Sequence, residues 1–193
     1  GSLTDNTTGT QNTALGRSAL AANTTGNDCV AVGYLALATN TVDDNTAVGY
    51  YAMNANTTGR INTAIGYNAM AVNTTGGDNT ACGGAALDAN TTGSSNTALG
   101  YATLSASTTS NDNTAVGALA LLNNTTGPQN TAVGSGALQT QTTSEYNTGI
   151  GYRAGHGLTT GLQNTYVGGQ AGLVATTGNY NVSVGANSLQ DNT

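Results

Sequence analysis

Few side chains in this chain of 193 residues are equipped for chemistry, and their spacing keeps them apart. His156 is the single histidine, so a His-based metal cluster has no second ligand and a Ser-His-Asp relay has no recurring partner. The acids Asp28, Asp78 and Asp112 share one phase of a repeat and face no second carboxylate, as sugar cleavage would require. The Gly-rich turns carry Thr where calcium-binding solenoids carry Asp. No catalytic residue, metal or cofactor is therefore expected. Cys29 and Cys82 lie three repeats apart, about 14 Å if each repeat is one coil, too far for a bridge that needs Cα atoms within about 7 Å. Cys82 occupies an aliphatic position and is expected to be a small core residue.

Tyrosine is the side chain best suited to recognition. Tyr34, Tyr50, Tyr67, Tyr101 and Tyr152 share one phase, whereas Tyr146, Tyr166 and Tyr180 are extra and lie near Arg153 and His156. Aromatic ring faces with one guanidinium suit a glycan. The candidate ligand patch is Tyr146, Tyr152, Arg153, His156, Tyr166 and Tyr180; sequence drift near a transition in a fibre accounts for the same residues without a ligand. In this stretch the Leu/Met column fails at Gly155 and Gly172, with Leu158 and Leu173 as compensating residues.

What must position these groups is a repeat. Asn-Thr-Ala-(aliphatic)-Gly returns every 17 residues, beginning at Asn12, Asn45, Asn62, Asn79, Asn96, Asn113, Asn130, Asn147, Asn164 and Asn181, with a degenerate copy at Cys29. The step from Cys29 to Asn45 is 16, a deletion between Thr39 and Asp44. The full unit reads Asn-Thr-Ala-(Val/Leu/Ile)-Gly-Tyr-x-Ala-(Leu/Met)-x-x-Asn-Thr-Thr-Gly-x-x. Gly, Asn and Thr in every unit disfavour helix, and Thr-Ala-Val-Gly-Tyr alternates as a short strand. Ala-Leu-x-x is expected to begin a second strand, and Asn-Thr-Thr-Gly to turn. The chain is thus read as an all-β parallel β-solenoid, one repeat array over residues 1–193, of about eleven coils and about 50 Å long.

The low charge follows from that stacking. A charge in every unit would meet its own copy about 4.8 Å away, at roughly 1 kcal/mol per step even in water. Asparagine columns instead hydrogen-bond along the stack, and the Asn-Thr-Thr turns, formally glycosylation acceptors, are read as part of those ladders. With three basic residues, Arg17, Arg60 and Arg153, against nine acids and a pI near 4.1, no nucleic-acid partner is expected. No stretch is apolar enough to insert in a membrane.

Two large aliphatics per unit, such as Ile65 and Met70, make a thin core. Thr63 and Ile65 point to one side of their strand, Ala64 and Gly66 to the other. The reading places Ile65 in the core and leaves the small-residue face for another chain to cover, predicting an obligate homo-oligomer. The chain opens and stops within a repeat, and neither end looks like a capping unit, which predicts a segment of a longer fibre.

Asn-Thr-Ala-Ile-Gly-x-x-Ala at Asn62 to Ala69 resembles the head repeats of trimeric autotransporter adhesins, and the longer form with Asn-Thr-Thr-Gly is similar to repeats of phage tail-fibre and bacterial surface-fibre proteins. The adhesin repeat is a few residues shorter, and no stalk, anchor or chaperone segment is present here. The resemblance implies a left-handed β-roll assembled as a parallel homotrimer, located on the bacterial surface or a virion. It implies attachment to a cell-surface glycan or protein receptor, without enzymatic activity. Two other functions are weighed beside it: an ice-binding solenoid using the turn threonines, such as Thr57-Thr58 and Thr74-Thr75, and a polysaccharide-degrading tailspike.

Overall fold

A computed structural model describes residues 1–190. Eleven three-residue strands follow one another: β1 (Thr13–Leu15), β2 (Val30–Val32), β3 (Thr46–Val48), β4 (Thr63–Ile65), β5 (Thr80–Cys82), β6 (Thr97–Leu99), β7 (Thr114–Val116), β8 (Thr131–Val133), β9 (Thr148–Ile150), β10 (Thr165–Val167) and β11 (Val182–Val184). They form one parallel sheet in sequence order, each strand paired in register with the next. The chain is a β-solenoid. The short coil does not break the register, because β2 and β3 still pair Ala31 with Ala47.

Each coil has one strand, not two. The Ala-Leu-x-x segment is a turn whose φ alternates in sign: Asn68 and Met70 have φ of 55° and 50°. This zigzag sends alternate amides to opposite neighbours: Asn68 donates to Tyr50 O at 3.0 Å and Met70 to Ala86 O at 3.0 Å, while Ala69 between them turns back to Gly66 O of its own coil at 3.4 Å. Stacking therefore continues beyond the strand without β backbone geometry.

The faces of the strand are the reverse of the expected ones. Ala64, Ala81, Ala98 and Ala115 are fully buried, whereas Ile65 is 41% exposed and Cys82 and Leu99 are also exposed. The aliphatic column, with Cys82 in it, lies outside the coil. A 17-residue coil encloses little space, and the Leu/Met column (Met53, Met70, Leu87, Leu104, Leu121) already occupies it from the opposite wall. Only a methyl group fits facing it. The core is thus thinner than the sequence suggests, with a single large apolar side chain in a regular coil.

Asparagine supplies the rest of the interior. Asn62, Asn79 and Asn96 are buried, and each Oδ1 accepts the backbone N–H of the next Asn at 3.0 to 3.1 Å. The second column links Asn56, Asn73 and Asn90 through Nδ2–Oδ1 bonds of 2.8 Å. Both columns meet on one carbonyl, since Gly76 O accepts Nδ2 of Asn62 and of Asn73, each at 2.9 Å. Most buried amides are thereby paired along the rod; Asn90 Oδ1, beside the Ser107 replacement, Asn124 Oδ1 and the Gln141 amide have no partner. Where Ser107 replaces the second Asn, Ser110 replaces the Gly and their hydroxyls pair at 2.5 Å. Asn73 and Asn90 are buried in this ladder and closed to glycosylation in the folded chain.

Candidate functional site

The invariant Gly ends each strand with a left-handed bend. At Gly100, φ is 137° and an added Cβ would stand 2.8 Å from the Gly117 carbonyl carbon, so no larger residue fits. The bend places the following residue, Tyr in five coils, on the next side of the coil. There the identical phase of successive coils stacks the rings: Tyr34 and Tyr50 lie 5.4 Å apart between centroids, Tyr50 and Tyr67 5.5 Å apart at an interplanar angle of 10°. Tyr51 leans against Tyr50 at 4.6 Å, and the Arg17 guanidinium caps the Tyr34 ring at 5.8 Å. Burial within the stack, then the neighbouring phenols Tyr51, Tyr34 and Tyr67, push the Tyr50 hydroxyl above its usual pKa. This ladder was visible in the sequence as phase alone; its stacking and its cap were not.

The six residues of the expected patch do not come together. Tyr152 and Arg153 are exposed, with the guanidinium 5.8 Å from the Tyr152 ring. Arg153 and half-buried His156 both lean over Gly136 of the preceding coil, their Cγ and Cδ2 lying 3.4 and 3.7 Å from where its Cβ would be. Burial, and second the Arg153 charge, lower the His156 pKa. Tyr146 and Tyr180 are exposed but occupy the phase before the next Asn, at the other end of the strand.

Tyr166 is not on the surface at all. It is fully buried in β10, at the inward alanine position, between Gly149 and Ser183 of the adjoining strands. Its ring fills the space left by two missing leucines: a Cβ on Gly155 would meet Tyr166 Cδ2 at 2.7 Å, and one on Gly172 would collide with Cδ1 and Cε1. The failed Leu/Met column is therefore a packing exchange, with the bulk moved from one wall to the other. Leu158 is buried but replaces the second-column Asn, and Leu173 is half-buried, so neither restores the lost column.

Cys29 is buried at the first Asn position, with its thiol 3.2 Å from Val42 O and its pKa raised, chiefly by burial. Among the described residues no group of His, Cys, Asp and Glu is arranged to hold a metal. No helix among the described residues is long and apolar enough to cross a membrane. The arrangement presents stacked phenols on one side of the coil, and an uncharged strand face of Thr and aliphatic columns on another. Comparison with protein-family models, curated proteins and solved structures gives no match to this chain.

Proposed function

We propose that this chain is a structural and adhesive segment of a homotrimeric fibre, displayed outside the cell or on a virion, with no catalytic activity of its own. The observation that carries the reading is the outward strand face. Nine of its eleven strands begin with Thr and all end with an aliphatic residue or Cys, unbroken by charge. Leu15, Ile65, Leu99, Ile150 and Val184 are exposed there, while the interior holds little apolar volume. Copies of the same chain share its repeat, so their columns mesh in register along the whole length, burying the aliphatic stripe that a single chain leaves in water. Scattering mass in solution tests this directly: about three times the 19.0 kDa chain mass is expected, and a stable monomer at micromolar concentration would overturn it. Attachment to glycans then uses the sides that the strand face leaves free.

A second reading has its own observation. The strand face carries a Thr column beside an aliphatic column on a regular parallel sheet, whereas turn hydroxyls such as those of Thr57 and Thr74 are already donated to carbonyls of the next coil. Thermal hysteresis in solution would favour an ice-binding role; a trimer that covers this face would show none.

A further inference from the structure

The tyrosine column has two interruptions flanked by rings, and only the one at Gly84 is a single coil wide; Ala118 and Ser135 separate Tyr101 from Tyr152 by two. Tyr34, Tyr50 and Tyr67 stack without a break; the next coil has Gly84 in that phase, and the one after has Tyr101. Arg17 covers the outer face of Tyr34, but nothing aromatic stacks on the far face of Tyr67. Accordingly Tyr67 and Tyr101 are 62% and 65% exposed, against 48% for Tyr50 inside the stack. A Cβ on Gly84 would meet a single atom, Tyr101 Cδ2 at 3.7 Å, so the space toward Tyr67 is open. The Gly84 N–H donates to no carbonyl among the described residues, and no side chain at this position covers it.

We propose that Tyr67, Gly84 and Tyr101 form a slot that holds one pyranose ring of a surface glycan. This names the ligand class of the adhesive reading above and rests on it. Two coil steps set the backbones that carry the walls about 9.6 Å apart. A flat ring needs about 3.5 to 4 Å on each face, so about 7 to 8 Å in all. The remaining 2 Å or so suits a puckered ring with axial hydrogens rather than a planar aromatic. The ring faces cover the apolar faces of the sugar, the phenol hydroxyls stand at the rim, and the Gly84 N–H meets a sugar hydroxyl at the floor. The slot is open-sided, so a single site binds weakly and a fibre with several copies gains by avidity.

The Gly84→Tyr variant tests the slot without disturbing the fold, because five coils already carry Tyr in this phase and Gly84 has no left-handed φ. Saturation-transfer NMR and calorimetry would be run on the purified chain with cellopentaose, chitopentaose, maltopentaose and mannopentaose at millimolar concentration. A planar naphthalene sulfonate serves as the aromatic probe, and scattering mass is recorded for each variant. The expected result is binding of at least one oligosaccharide, weakened about tenfold or more by Gly84→Tyr and by Tyr101→Ala, and unchanged by Tyr152→Ala. Binding that survives Gly84→Tyr, no binding of any oligosaccharide, or binding of the aromatic probe alone at this slot would each overturn the proposal. A wild-type monomer would overturn the fibre reading, whatever the sugars do; a trimer with no slot binding overturns the slot alone.

Discussion

Single residues in this solenoid are judged by the neighbours that stacking imposes. Gly100→Val would drive a side chain into the Gly117 carbonyl at a backbone φ of 137°, and should cost well over 2 kcal/mol in thermal unfolding. Tyr166→Ala empties a filled core site, so a loss of about 3 to 5 kcal/mol is expected. Tyr166→Phe should be neutral or stabilising, since the buried hydroxyl has no hydrogen-bond partner. A marked drop in melting temperature for the Phe variant would show a partner the structure lacks. His156 has a lowered pKa, so between its folded and unfolded values the unfolded chain binds more protons. Its contribution is complete above the unfolded value near 6.5 and is lost as pH falls toward the folded one. Denaturation midpoints should decline across that window in the wild type, and His156→Asn should flatten that decline.

The coil as an element carries more backbone strain than its composition announces. Three phases per coil place non-Gly residues at positive φ, as with Ile61, Asn68 and Met70 in adjoining turns. Asp and Asn accept this conformation through their short polar side chains; Ile does so poorly. Ile61 is 60% exposed with φ of 58°, so its burial offsets little of that cost. Ile61→Asn should raise stability by about 1 kcal/mol in chemical denaturation, and a destabilised variant would show that Ile61 is held by contacts beyond this chain. The strand and the Gly corner were legible from the repeat. The zigzag was not, because Leu and Met at left-handed φ leave no compositional sign: their conformation is set by the coils above and below.

At the level of the whole molecule, the thin core and the exposed strand face point the same way. Ile65→Asp with Leu99→Asp would set like charges about two coils apart on the proposed interface. That variant should run as a monomer in light scattering with its circular dichroism retained. Cys82 lies in the same aliphatic column and is exposed, while Cys29 is buried with a raised pKa. A short bismaleimide should therefore yield covalent dimers in denaturing gels through Cys82 alone, and Cys82→Ser should abolish them. Equal yield from the Ser variant would place the interface elsewhere.

Period and chemistry of the columns suffice to read a parallel solenoid from the chain: a residue repeated every 17 positions stacks on itself, so charge is disfavoured and Asn forms ladders. Which way each strand faces does not follow from the period. Thr-Ala-Ile alternates equally well in either sense, and the choice was made by the volume left inside a coil already holding a Leu or Met. The same limit hid Tyr166, an aromatic in an alanine phase, whose space is created by glycines lying elsewhere in the sequence but against its ring in the fold. It also hid the gap at Gly84, the proposed slot, since a gap between rings exists only once the coils are stacked and the neighbouring tyrosines flank it.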